Sequence, residues 1–277
     1  MCLVLRAKTL LVYSRTDPAS SNIASHVLEL LGKTEELTVG GYRVLYSDEL
    51  NLALLELKDE LIYADYVEEL VEAELAIFLS RHEAAARRPS LTVHVPGNWT
   101  EEARHGGRPQ SFCIAPAYPM LVALNVLWTE RADYGLEDWL CSYEATHHGP
   151  YLEKLPAFFV EIGSTETEWR NERAGELVAV SALESADKRG CEAFLGLGGP
   201  HYAPKLTSYA LEKEAPLGHI APRYVLDSIS PSILLKAAGR TLEPVTGVVV
   251  DWKGTKKRQR ENLLPPLAER GVRIIRA

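Results

Sequence analysis

The sequence has few cysteines, and none of them are paired at metal-binding spacing. Cys2, Cys113, Cys141 and Cys191 lie far apart and form no CxxC pair, so the sequence does not favour a zinc site built from thiolates. We expect each thiol to act as a small buried apolar side chain instead.

Long apolar runs and an excess of positive charge are also missing. No run reaches the roughly 18 residues of a membrane-spanning helix, and the apolar N-terminal stretch lacks a small-residue cleavage site. We therefore predict a cytoplasmic protein that makes no membrane contact and begins with a strand. The net charge of −8 argues against unselective nucleic-acid coating, so any such contact needs a local basic patch.

Apolar runs alternate with amphipathic segments along the whole chain, which predicts an α/β fold with a mixed, mostly parallel sheet in a single domain over residues 1–277. Ser20 or Ser21 is the predicted cap of the first helix, which ends at Leu31. The other predicted helices are 120–130, 166–186 and 258–270. The predicted strands are 10–13, 76–79, 91–95, 112–115, 158–162, 194–197, 247–251 and 272–275.

Four of the eight histidines lie in three segments rich in glycine and proline. These segments begin at His94, contain the string EATHHGP with Glu144, His147 and His148, or end at His201 after GLGGP. Neutral imidazole is the commonest zinc ligand, and carboxylates complete such sites. The spacing is not the helical HExxH pattern of zinc peptidases, so the residues alone predict a metal site without naming its reaction.

Other titratable residues support more than one interpretation. For His26, His82 and His105 we expect ordinary surface or hydrogen-bonding roles. Glu161 lies inside an apolar strand, where a carboxylate needs a partner; it either faces solvent at a sheet edge or supports the site from behind. His219, in a predicted loop, is a weaker candidate for the same supporting role.

Six strings occur in an order and spacing that resemble one known family. They are HVPGNW, CSYEATHHGP, FFVEIGSTETEW, GLGGPHYAPK, LGHI and VDWKG. Together they are similar to the archaeal-type D-aminoacyl-tRNA deacylases, also found in plants. The resemblance spans nearly the whole chain and departs mainly at the N-terminus and in the Ala-rich segment 81–89.

The resemblance implies an enzyme that hydrolyses the ester of D-aminoacyl-tRNA and releases the D-amino acid and free tRNA. It also implies a three-layer α/β/α sandwich with a core similar to peptidyl-tRNA hydrolase and the purine nucleoside phosphorylases, and two zinc ions per subunit. On this basis we expect a monomer with no stable protein partner. The expected metal ligands are His94, His147, His148 and His201.

The expected catalytic residues are Glu144, as ligand or general base, and His148. Residues expected to contact the substrate are Asn98, Trp99, Gly198, Gly199, Lys205 and Lys253. The backbone N–H groups of the two glycines are candidates for binding an oxyanion or the terminal phosphate. The candidate tRNA patch is Lys253, Lys256, Lys257, Arg258 and Arg260, with Lys205 as a second candidate.

Two alternatives stay open at the level of the sequence. One is a nucleoside phosphorylase or a peptidase on the same fold, which phosphate-dependent nucleoside cleavage or peptide hydrolysis would reveal. The other is a protein that binds zinc or tRNA without catalysis, which zinc binding without turnover would reveal.

Overall fold

The computed structural model describes residues 5–85 and 87–277, and its strands form two large sheets and a short two-stranded ribbon. The strands are β1 (Leu5–Ser14), β2 (Glu35–Val39), β3 (Tyr42–Ser47), β4 (Leu52–Leu57), β5 (Val71–Glu83), β6 (Ser90–His94), β7 (Gly97–Asn98), β8 (Ser111–Phe112), β9 (Leu140–Tyr143), β10 (Ala157–Ser164), β11 (Ala193–Leu197), β12 (Leu217–Ala221), β13 (Val245–Val250) and β14 (Arg273–Arg276). The helices are α1 (Pro18–Leu31), α2 (Val67–Leu70), α3 (Ala117–Glu130), α4 (Glu166–Trp169), α5 (Glu172–Ser185), α6 (Pro204–Lys213), α7 (Pro231–Gly239), α8 (Lys257–Leu263) and α9 (Pro265–Ala268).

The larger sheet has eight strands in the order β2-β3-β4-β1-β5-β10-β6-β9. Its central pairs β4–β1, β1–β5 and β5–β10 are parallel, whereas β10 and β6 are antiparallel. Helices α1, α3 and α5 pack together beside it. The predicted α/β fold with a mixed, mostly parallel sheet is confirmed.

The smaller sheet is fully parallel in the order β12-β11-β13-β14; β11 and β12 are buried along their whole length, whereas β14 at the opposite edge is largely exposed. Phe194 and Val249 join the main core, while their neighbours Leu195 and Val250 join a second core with α7, α8 and α9. This division follows from the alternation of side chains along a strand. Helices therefore cover both faces of this sheet, which gives the predicted α/β/α layering.

The first helix begins one turn earlier than predicted. Asp17, not Ser20 or Ser21, is the cap, because its carboxylate accepts the backbone N–H groups of Ala19 and Ser20. Pro18 occupies the first helical position, where its missing N–H costs nothing. The Ser20 hydroxyl instead bonds Leu79 O and so ties α1 to β5.

Two predicted helices are each broken into two. The segment predicted as 166–186 stops at Arg170, and α5 starts anew with Asn171 as its cap, whose side chain accepts the N–H of Ala174. The segment predicted as 258–270 is interrupted before Pro265, because proline has no N–H to continue a helix.

Several predictions about strands were wrong. The predicted strand 112–115 keeps only Phe112 in a strand, and the predicted loop at His219 is β12. The antiparallel strands β2 to β4 were missed, although Gly40 and Gly41, both at positive φ between β2 and β3, form the two-residue connection typical of a hairpin.

Two further observations concern exposure. Cys113 and Cys141 are buried as predicted, but Cys191 is exposed, and Cys2 lies outside the described residues. Within the described part of the chain, no helix has the length and apolar character needed to cross a membrane.

Candidate metal centre

Polar side chains occupy alternate positions on four neighbouring strands of the larger sheet. Glu161 on β10 is in register with Ser80 on β5 and with Thr92 on β6, and Thr92 is in register with Ser142 on β9. Side chains two residues apart share one face of a sheet. The residues two positions further along therefore lie on the face of Glu161: His82, His94 and Glu144.

A first ligand group contains three histidines, His94, His147 and His148, whose ligand nitrogens all lie within 4.8 Å of one another. His94 is the last residue of β6, and the other two follow β9. The Nε2 atoms of His94 and His148 are 3.2 Å apart. Two nitrogens bound to one tetrahedral zinc at about 2.0–2.1 Å are separated by about 3.3 Å, so the spacing fits a shared ion.

The protonation of this group also suits a metal. His147 Nδ1 lies 2.8 Å from Ala145 O, and His148 Nδ1 lies 2.5 Å from Gly149 O. A carbonyl only accepts, so each Nδ1 carries the proton and each Nε2 keeps its lone pair. Burial lowers the pKa of His94 and His147 well below the usual range and lowers that of His148 to about 4, and nearby histidines lower the first two further.

A second ligand group contains His82, Glu144 and His201. Glu144 Oε2 is 2.9 Å from His201 Nε2, and Glu144 Oε1 is 3.0 Å from His82 Nδ1. Oε2 also lies 3.6 Å from His147 Nε2, so this carboxylate lies between the two groups. Among the described residues, Glu144 Oε1 and His94 Nδ1 are two of several buried side-chain atoms that have no partner in hydrogen-bond geometry.

Charge within the second group is balanced by ion pairing. Burial raises the pKa of Glu144, but His82, His201 and His147 outweigh it and hold that pKa well below its usual range. Burial lowers the pKa of His82, but Glu144 and Glu161 outweigh it and raise the pKa to about 9. The position between these side chains therefore stabilises positive charge, which a bound cation would also supply.

Glu161 lies behind both groups and is 2% exposed. Its Oε2 is 3.5 Å from His82 Nδ1 and 3.7 Å from His94 Nδ1. Burial raises its pKa to about 7. Of the two positions that the sequence allowed, the structure shows the buried one, beside a histidine from each group.

A cleft of about 1170 Å³ gives access to these groups. His147 and His148 form part of its wall, together with Thr146. Trp169 and Tyr224 also line it, and arginines at positions 87 and 104 bring positive charge to it. The arrangement therefore opens on the side of the first ligand group and is large enough for a nucleotide.

Three of the predicted supporting or binding residues hold the loops around the centre. Asn98 lines the cleft, and its Nδ2 donates to Gly106 O at 3.0 Å. Trp99 also lines the cleft but is only 4% exposed. His219 is buried, lies 3.3 Å from the hydroxyl of Thr146 and bonds Arg240 O at 3.1 Å; burial lowers its pKa to about 4. It therefore lies behind the loop that carries His147.

The other predicted binding residues gather around Asp251 and are not part of the cleft wall. Gly198 and Gly199 have positive φ, and a side chain added at either would meet Asp251. The Gly198 N–H donates to Ala221 O at 2.8 Å, so it is not open to an oxyanion or a phosphate, contrary to expectation. Lys205 Nζ lies 3.4 Å from Asp251 Oδ1, and Lys253 is exposed.

The predicted basic patch is partly neutralised by acids outside the stretch that defined it. Asp227 pairs with Lys256 at 3.0 Å and with Arg258 at 3.1 Å. Lys257 lies 3.5 Å from Glu261, and the guanidinium of Arg260 lies over the Trp252 ring. Among the described residues of this patch, Lys253 is the one for which no ion pair or ring contact is found.

Sequence reasoning missed His82 and the tyrosine beside it. His82 was expected to be an ordinary hydrogen-bonding residue, yet it is 6% exposed and joins the second ligand group. Its Nε2 lies 2.6 Å from the Tyr202 hydroxyl. Part of the signal was present in the sequence, because Ser80 and His82 lie two residues apart at the end of an apolar strand, as Thr92 and His94 do.

Comparison with known proteins gives the family. A family model described as D-aminoacyl-tRNA deacylase matches residues 70–275. A D-aminoacyl-tRNA deacylase of Pyrococcus abyssi is 40% identical over 273 residues, covering 95% of this chain and 97% of that protein. The chain belongs to the D-aminoacyl-tRNA deacylase family. The predicted family is therefore confirmed, and with it the prediction of a hydrolase.

A further relative and a solved structure match at similar coverage. A protein with the same name from Methanocaldococcus jannaschii is 36% identical over 259 residues, covering 90% of this chain and 91% of the relative. A crystal structure of a conserved protein of unknown function is 32% identical, has a TM-score of 0.89, and covers 98% of this chain and 95% of its own. Every residue of the two ligand groups lies inside the range matched by the deacylase model.

Proposed function

We propose that this chain hydrolyses the ester of D-aminoacyl-tRNA at the two ligand groups, releasing the D-amino acid and free tRNA. The observation that carries the proposal is the convergence of His94, His147 and His148 with His82, Glu144 and His201 beside one cleft. Membership of the deacylase family supports the reaction and favours it over the phosphorylase, peptidase and non-catalytic alternatives.

We further propose that the bound metal is zinc, with one ion at each ligand group. Three neutral imidazoles suit zinc in the first group, and a carboxylate with two histidines suits it in the second. When bound, such an ion makes a water molecule more acidic and polarises an ester carbonyl. His94, His147 and His148 would hold one ion, and His82, Glu144 and His201 would hold the other.

The residues themselves then have distinct tasks. Glu144 remains ionised because its pKa is held low, which makes it a good ligand and a weak base; of its two predicted roles, that of ligand is favoured. Glu161 Oε2 lies beside Nδ1 of His82 and of His94, where its negative charge favours one orientation of each ring. His147 and His148 present their ligand nitrogens beside the cleft, where the ester would lie.

The same proposal assigns the tRNA to the cleft and the surface around it. Lys253 and Lys205 remain candidates for backbone contact, although Lys205 also pairs with Asp251. The monomeric state, the absence of a stable protein partner and the cytoplasmic location remain predictions of the sequence.

The direct test of the reaction is hydrolysis of matched D- and L-aminoacyl-tRNA by the purified chain, with and without a chelator. We expect hydrolysis of the D-aminoacyl ester but not of the L-aminoacyl ester. This activity should be lost after chelation and recovered when zinc is restored. Equal hydrolysis of the L-ester, or full activity in the chelator, would contradict the proposal. Phosphate-dependent cleavage of a nucleoside would support the phosphorylase alternative instead.

A further inference from the structure

Tyr224 is a large aromatic residue that remains 59% exposed although it lies beside the second ligand group. It lines the cleft, and its hydroxyl lies 3.5 Å from His201 Nδ1. Single exposed apolar residues are common and need no explanation. This one differs because its ring faces a cleft and its hydroxyl reaches a residue of the second ligand group.

The turn that carries this ring is fixed by backbone hydrogen bonds on both sides of Tyr224. Arg223 N donates to Gly199 O at 2.9 Å on one side, and Val225 N donates to Pro222 O at 3.1 Å on the other. Val225 and Leu226 then enter the second core, at 8% and 1% exposure. The backbone on either side of Tyr224 is therefore anchored, and only its ring is left without cover.

Trp169, another aromatic residue of the cleft, is arranged differently. It is partly buried against the main core, and the guanidinium of Arg81 lies 5.5 Å from the centre of its ring. Its Nε1 donates to His82 O at 3.1 Å. Trp169 is thus built into the wall that supports the second ligand group, whereas Tyr224 keeps its ring available to a ligand.

We propose that the ring of Tyr224 stacks on the adenine base of the terminal nucleotide of tRNA and so places the ester beside the ligand groups. This inference rests on the proposed function. RNA-binding proteins commonly stack unpaired bases on aromatic side chains, and a single-stranded end offers such a base. In an aminoacylated adenosine the ribose joins the base to the ester. A base stacked on Tyr224 would therefore leave the ester within the length of one ribose, beside the ligand groups.

The ring and the hydroxyl of Tyr224 make separable contributions. Stacking depends on the ring, whereas the contact with His201 depends on the hydroxyl. Tyr224→Phe keeps the first and removes the second, and Tyr224→Ala removes both. Trp128 is a matched control, because it is an aromatic residue that is 43% exposed on α3 and is not part of the cleft wall.

The test measures equilibrium binding of a non-hydrolysable probe, adenosine carrying a D-alanyl amide at its 3′ position. We expect Tyr224→Ala to weaken binding by roughly 5- to 150-fold, the range for loss of one base stack. Tyr224→Phe and Trp128→Ala should bind the probe within about threefold of the unchanged chain. With D-aminoacyl-tRNA, Tyr224→Ala should raise KM by a larger factor than it lowers kcat.

A second probe that lacks the base identifies what the ring recognises. An abasic ribose with the same D-alanyl amide should bind the unchanged chain and Tyr224→Ala equally. The stacking proposal is overturned if Tyr224→Ala binds the adenosine D-alanyl amide with the same affinity as the unchanged chain. It is also overturned if Tyr224→Phe loses as much affinity as Tyr224→Ala, since the hydroxyl would then act by positioning His201. Circular dichroism and thermal melting check that each variant is folded.

The outcomes separate this proposal from the function on which it rests. If the unchanged chain hydrolyses D-aminoacyl-tRNA but Tyr224→Ala keeps its affinity and KM, only the stacking proposal fails. If the unchanged chain does not hydrolyse D-aminoacyl-tRNA, the proposed function fails, whatever the variants bind.

Discussion

The two ligand groups use different chemistry to bring three side chains together. In the first group, His94, His147 and His148 are neutral because they are buried beside one another. In the second, Glu144 is ionised between His82 and His201. Backbone carbonyls thus orient two rings of the first group, those of His147 and His148, whereas the charge of Glu144 holds the second group together.

The fold prepares these two candidate cation sites in different ways. Carbonyl contacts at Ala145 and Gly149 select the tautomers of the first group before any ligand arrives. The carboxylate of Glu144 instead offsets the cost of burying positive charge in the second. Substitutions in one group should therefore weaken ion binding at that group more than at the other.

The largest effect is expected from the first group, which lies at the cleft. His148→Ala should remove one zinc equivalent and lower kcat/KM by more than about 100-fold, beyond the 10- to 100-fold typical of an outer contact. Elemental analysis and hydrolysis of D-aminoacyl-tRNA measure both. His26→Ala is the control, because that histidine contacts Glu29 and Glu172 on the helices beside the sheet. Unchanged zinc content would remove His148 from the ligands.

A somewhat smaller effect is expected in the second group. His201→Ala should release the ion of the second group, because only Glu144 and His82 would remain to hold it, and should lower kcat/KM by roughly 100-fold. The other zinc equivalent should be retained. Simultaneous loss of both ions would show that the groups form one coupled site, and full activity would place His201 outside the site.

The carboxylate behind both groups should affect each ion moderately. Glu161→Gln keeps the shape of the side chain but removes its charge beside His82 and His94. We expect zinc affinity to fall by about 10- to 100-fold, with both ions still bound at high zinc. Competition with a chromogenic chelator gives the affinity. An effect confined to one ion would show that Glu161 supports only that group.

The smallest effect is expected on the surface, away from both groups. Lys253→Ala should weaken tRNA binding severalfold and reduce the slope of log affinity against log salt by roughly 0.7–0.9, the contribution of one phosphate contact. Lys256→Ala should change the slope less, because Asp227 already pairs with that lysine. Equal slopes for the unchanged chain and Lys253→Ala would exclude the contact.

All three members of the first group and two of the second, Glu144 and His201, were predicted from the sequence, whereas His82 was not. His94, His147 and His148 lie in short segments whose glycines and prolines mark strand ends. His82 and Glu161 join the site only because β5, β10, β6 and β9 are neighbours in the sheet. Strands that are neighbours in this part of the sheet are not consecutive in the chain, so their order is fixed by tertiary packing.

The fold shows the same division. The apolar runs of the central strands were predictable, because strands buried on both faces read as continuous apolar segments. The strands β2, β3 and β12 were not, because their polar residues or glycine resemble those of loops, and the apolar run of β4 was overlooked. Asp17 was overlooked as a helix cap for a local reason, since the serines that follow it have the same capping chemistry.

The most direct test of two separate ligand groups is X-ray diffraction from crystals of the zinc-loaded chain, recorded on both sides of the zinc absorption edge. Two anomalous peaks are predicted, one among His94, His147 and His148 and one among His82, Glu144 and His201. A single peak, or peaks away from these side chains, would contradict the account.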